Sequence, residues 1–126
     1  MARSKDFRMY AVDYDWLWAR PPHNDGTPAT VRLTLTDGRR TIARDAVDAW
    51  FASVGASEGG AFGYAGWVVV EKEAKPGRVV LEITSGGEDV ADGIDDGTDT
   101  VYQEIIRDSD LGVKWEQLPR VKTSRA

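Results

Sequence analysis

The stretch from Trp67 to Thr84 constrains the fold directly, because it reads as a β-hairpin. Two β-rich runs, Trp67–Glu73 and Arg78–Thr84, flank Ala74-Lys75-Pro76-Gly77. Pro-Gly supplies turn geometry directly, because proline presets φ and glycine accepts positive φ. In the second run Val79, Leu81 and Ile83 alternate with Val80, Glu82 and Thr84, the period of a strand. Trp67, Val68, Val69 and Val70 are apolar on both sides, which predicts a central strand covered on both faces at its start. Glu71-Lys72-Glu73 predicts that its far end projects into water. So short a connection selects an antiparallel pair, since parallel strands need a long crossover.

The same logic runs through the region before it. Thr30–Thr36 places Val31, Leu33 and Leu35 on one face and Thr30, Arg32, Thr34 and Thr36 on the other. Asp37-Gly38 is a strong hairpin signal and predicts a short return strand over Arg39–Ala43, with Ile42 as its apolar contact. Arg39 and Arg40 form the only adjacent basic pair, a solvated turn or an unspecific anion contact. Arg44–Val54 is the best helix: Ala46, Val47, Trp50, Phe51 and Val54 recur at three- and four-residue spacing. Asp45 and Asp48 suit its positive end, and Gly55 stops it.

Phe7–Trp18, FRMYAVDYDWLW, is the densest aromatic run and the stretch around which the rest of the chain is expected to be organised. Read with a period of two, it predicts a strand with Tyr10, Val12, Tyr14, Trp16 and Trp18 on one face. Phe7, Met9, Ala11, Asp13, Asp15 and Leu17 fall on the other, and Pro21-Pro22 ends the strand. The aromatic face is expected to pack beneath the Trp50–Phe51 helix, at least at Tyr10 and Val12; the end from Tyr14 to Trp18 is either core or the lining of a groove. Asp13 and Asp15 are either solvated or, if enclosed together, an acid/base pair separated in pKa by like-charge repulsion. His23 lies in the turn-rich loop ARPPHNDGTPA, where it is an exposed histidine or, over a pocket, a general base.

Two loops are expected further on. ASEGGAFGYAG (56–66) has neither P-loop nor GxGxxG spacing, so it is no nucleotide signature. Its glycines supply bends, and Phe62 and Tyr64 either tuck into the core edge or tip a mobile lid. Ser85–Asp99, SGGEDVADGIDDGTD, reads as an acidic loop. It fails the EF-hand pattern, because with Gly97 central Ile94 takes a ligand position and Gln103 the last one. A looser Ca²⁺ or Mg²⁺ site from Asp92, Asp95, Asp96 and Asp99 is one alternative; a solvated loop or a surface that docks a basic partner are the others. Thr100–Arg107 predicts a short helix capped by Thr98 or Asp99, and Val113–Leu118 a last strand ended by Pro119.

Composition excludes several classes. With 126 residues the chain is expected to form a single α+β domain, residues 1–126, frayed at 1–6 and 120–126. It has no cysteine and one histidine, which removes disulfides, thiolate nucleophiles and multi-histidine metal sites. No secretory h-region or membrane-length apolar run is visible, so a cytoplasmic setting is expected, with no membrane contact. A net charge of -5 argues against direct nucleic-acid binding.

These elements predict two layers: a mainly antiparallel sheet of five or six strands packed by one long and one short helix. A strongly curled half-barrel with a pocket is the alternative. The favoured function is a noncatalytic binding or regulatory protein that engages a protein partner, one form being inhibition of a basic protein. The acidic stretch would steer, and aromatic anchors drawn from Tyr14, Trp16, Trp18, Phe62, Tyr64 and Trp67 would dock. The second reading is a small-molecule-binding protein or compact enzyme whose pocket those same aromatics line, with Asp13 or Asp15 as acid/base. The third is a structural assembly component using an exposed Trp16–Trp18 surface. No cofactor is expected under any of them.

Overall fold

The computed structural model describes residues 8–13, 17, 28–55, 61–64, 66–86 and 90–119. The described elements are β1 (Ala29–Thr36), α1 (Ile42–Ser53), β2 (Ala61–Tyr64), β3 (Trp67–Lys75), β4 (Arg78–Ser85), α2 (Val90–Val101) and β5 (Gly112–Gln117). A π-helical turn, Tyr102–Ile106, continues α2. Among the described residues the strands form one five-stranded antiparallel sheet in the order β2-β3-β4-β1-β5, which is not closed. The two-layer α+β architecture follows, and the half-barrel alternative does not hold, because the sheet neither closes nor curls strongly.

The period-two strands sit as their sequences dictate. Val31, Leu33 and Leu35 of β1 pair in register with Ile83, Leu81 and Val79 of β4, and all are fully buried. Burying each such side chain contributes about 1.5–3 kcal/mol. Both helices cover this face. α1 buries Ala43, Val47, Trp50 and Phe51, Val101 ends α2 in the same core, and the π-helical turn adds Tyr102, Ile105 and Ile106. Phe62 on β2 closes the core with edge-on ring contacts to Trp50 at 5.6 Å and Trp67 at 5.8 Å. The opposite face carries cross-strand polar pairs: Thr30 with Thr84 at 2.8 Å, and Arg32 with Glu82 at 3.1 Å. The expected double cover of β3 is therefore one-sided, with Trp67 and Val69 buried beneath helices and Val68 and Val70 half-buried on the polar face.

The aromatic run is not a strand over its described part. Residues 8–13 are irregular, and the Leu17 N–H donates to the Asp13 carbonyl at 3.2 Å, a helical spacing. Leu17 and Val12 share one apolar cluster, although strict alternation puts them on opposite faces. That cluster joins Ala29, Val31, Val90 and Ile94, so Tyr10 and Val12 lie by β1 and α2 rather than beneath Trp50 and Phe51.

The return strand over Arg39–Ala43 is absent too. Gly38 and Arg39 both take positive φ, as a tight turn requires. The chain then docks on the β3–β4 turn, where the Gly77 N–H donates to the Arg40 carbonyl at 2.6 Å. Asp37 accepts from the Ala43 N–H at 2.8 Å and the Arg40 N–H at 3.0 Å, so its carboxylate starts a helix instead of a hairpin.

The glycine-rich segment contributes an edge strand, β2, rather than bends alone. The largest difference is the acidic stretch, which is helix from Val90 onward; α2 then runs without a break into the π-helical turn, so no separate helix begins at Thr98 or Asp99.

Candidate functional site

Helix α2 is built from VADGIDDGTDTV, a sequence poor in large apolar residues. Its buried positions are Val90, Gly93, Ile94, Gly97, Thr98 and Val101, a stripe at three- and four-residue spacing. The small residues make it a helix that packs close. A Cβ on Gly97 would stand 2.8 Å from Ile83 Cγ2, and one on Gly93 would collide with Ser85 Oγ and lie 2.8 Å from its Cβ. Thr98, 2 % exposed, satisfies its hydroxyl by donating to the Ile94 carbonyl at 2.7 Å.

Burying that stripe turns Asp92, Asp95, Asp96 and Asp99 outward together. Their spacing of three and four residues puts all of them on one exposed helix face. Among the described residues none of these carboxylates forms an ion pair. Asp96 has a second role: it accepts the indole N–H of the buried Trp67 at 2.6 Å, tying helix to sheet. Asp99 is 3.5 Å from Gln103 Nε2, and Gln103 accepts from Arg107 at 2.6 Å, so the face ends in a polar ladder. No group of three or more His, Cys, Asp or Glu among the described residues is placed to hold a metal ion. No described helix is long and apolar enough to cross a membrane.

The other expected site residues do not gather here. Trp67 is 3 % exposed and belongs to the core, with Phe62 packed against it, so neither lines an open groove. Tyr64 ends β2, opposite Trp67 in the register. Asp13 is half-buried in the N-terminal segment. Tyr14, Asp15, Trp16, Trp18 and His23 lie outside the described residues, as do the terminal stretches 1–6 and 120–126.

The described N-terminal residues form a strap beside β5 that the sequence reading missed. Arg8 donates to the Ser109 carbonyl at 2.6 Å and the Leu111 carbonyl at 3.3 Å. Its own carbonyl accepts from the Trp115 indole at 2.7 Å. Tyr10 lies tilted against Trp115 at 5.4 Å and accepts from Gln117 Nε2 at 3.1 Å. Burial pushes the Tyr10 hydroxyl above its usual pKa, against the opposing effect of the Gln117 bond. No local pattern could have paired Arg8 with Ser109, because the contact spans a hundred residues of chain.

Neither protein-family models, curated proteins nor solved structures give a match to this chain. Any functional reading therefore rests on the geometry alone.

Proposed function

We propose that the chain is a noncatalytic binding or regulatory protein that engages a basic protein surface through the acidic face of α2. The observation that carries this reading is the alignment of Asp92, Asp95, Asp96 and Asp99 on one exposed helix face, with no ion pair to them among the described residues. Such a row projects a negative field that accelerates encounter with a positive surface and opposes a negative one. Fixing the carboxylates on a helix rather than a loop lowers the entropy lost on docking. The overall charge of -5 acts in the same sense.

The test uses Asp92→Asn, Asp95→Asn and Asp99→Asn together, leaving Asp96 to hold Trp67. The full chain is used to capture partners from its native source, and association is then timed at several salt concentrations. A basic partner is expected, with association on the order of tenfold slower for the triple variant and a weaker dependence on salt. Unchanged association kinetics with the captured partner would sink the proposal.

A further inference from the structure

Among the described residues the sheet ends at β5. The Leu118 N–H donates to the Thr30 carbonyl at 3.0 Å, and the β1–β5 register continues that pairing as Arg32 with Glu116 and Thr34 with Lys114. In an antiparallel ladder, residues that bond the neighbour alternate with residues that turn away. Gly112, Lys114 and Glu116 therefore direct their backbone groups to β1. Val113, Trp115 and Gln117 direct theirs outward, where among the described residues no backbone hydrogen bond meets them, the Arg8–Tyr10 strap engaging only the side chains of Trp115 and Gln117. The other edge, β2, is shorter, and the same alternation turns only Ala61 and Gly63 outward there.

We propose that β5 is the contact strand of a two-fold dimer, pairing antiparallel with a second copy of itself so that Trp115 faces Trp115. In this register the outward-turned groups meet one another: Trp115 exchanges both backbone bonds with its counterpart, and Val113 does so with Gln117 of the second copy. Lys114 then stands opposite Glu116 of the second copy, and Glu116 opposite its Lys114. Those are the non-hydrogen-bonded positions, where opposed side chains come closest. A lysine in an edge strand ordinarily discourages pairing. Here it selects the register, because a shift one way opposes Lys114 to Lys114 and a shift the other way opposes Glu116 to Glu116. Within one chain the same two residues are only loosely paired, at 3.9 Å and with Lys114 largely exposed, so they are available for exchange. Directly opposed residues share a face, so the joined sheet keeps both pairs of helices, and both acidic faces, on one side.

The experiment is sedimentation equilibrium of the full chain over a wide concentration range. A reversible monomer–dimer equilibrium is expected. Lys114→Glu or Glu116→Lys alone turns both cross-strand attractions into repulsions and weakens self-association about tenfold or more. An equimolar mixture of the two variants is expected to recover it, because the two carboxylates of one chain then face the two ammonium groups of the other. Val113→Pro removes an outward N–H without removing a bond to β1, and is expected to give a folded monomer by circular dichroism. A wild-type chain that stays monomeric at every concentration overturns the proposal. So does a dimer indifferent to all three substitutions, or a mixture that fails to recover association.

Discussion

Replacing Gly97 with alanine tests the packing of α2 by the sign of its effect. A glycine in a helix interior is about 1 kcal/mol less favourable than alanine, so on a solvent-facing helix Gly97→Ala is stabilising by that amount. Position 97 instead faces the sheet. The added Cβ would stand 2.8 Å from Ile83 Cγ2 and 3.1 and 3.2 Å from the Cδ2 and Cγ of Trp67. Neither neighbour has room to yield: Ile83 is fully buried in β4, and the Trp67 indole is pinned to Asp96. Overpacking costs about 1–3 kcal/mol, and contacts with such fixed atoms belong in the upper part of that range. After the propensity gain, the net loss is about 1–2 kcal/mol, or roughly 4–8 °C in Tm for a domain of this size. Urea unfolding followed by far-ultraviolet circular dichroism reads it as a lower midpoint with an unchanged slope. At Gly93 the clash with Ser85 falls closer to the strand backbone, and the loss is expected to be larger. A Gly97→Ala midpoint at or above that of the wild type would refute the close-packed helix, since that is the result for a glycine facing water.

Two further perturbations follow from the same packing. Asp96→Ala strands the buried indole N–H of Trp67 and is expected to cost about 1–2 kcal/mol, whereas Asp95→Ala on the same exposed face changes stability by less than about 0.5 kcal/mol; equal effects in chemical denaturation would remove the special role of Asp96. Glu71 lies on the core side of β3, where burial, and then the nearby Asp48 carboxylate, raise its pKa above the usual 4.5 against the opposing pull of Arg44. The folded state thus holds this proton more tightly than the unfolded chain, so folding loses stability as pH rises from about 4.5 through the raised value. Glu71→Gln is expected to be more stable than wild type at neutral pH and to converge with it at acid pH; a stability difference that does not vary with pH would contradict this.

The acidic helix shows where reading from sequence alone stops. Counting glycines and aspartates from Ser85 to Asp99 points to a loop, because both residue types are weak helix formers. The helical signal was nonetheless present, as Val90, Ile94 and Val101 interleaved with Gly93, Gly97 and Thr98. It was faint because small residues mark a buried face only where another surface comes close enough to use them. The strap was less legible still, since Arg8 finds its partners at Ser109 and Leu111, far along the chain. At Asp37-Gly38 the turn dipeptide was legible and its consequence was not: the carboxylate of Asp37 caps α1, and the chain leaves toward Gly77.

By itself the sequence determined what short-range periodicity can specify: β1, the β3–β4 hairpin, the apolar stripe of α1 and the last strand, β5. In each, the alternation or the helical repeat of large side chains carries enough burial energy to choose the local conformation. Tertiary structure alone decided the strand order β2-β3-β4-β1-β5 and the helical state of Val90–Val101. It therefore also decided that four aspartates form one face and that β5 is the last strand of the sheet among the described residues. Those outcomes depend on how closely distant surfaces approach, a quantity that no local pattern of residues contains.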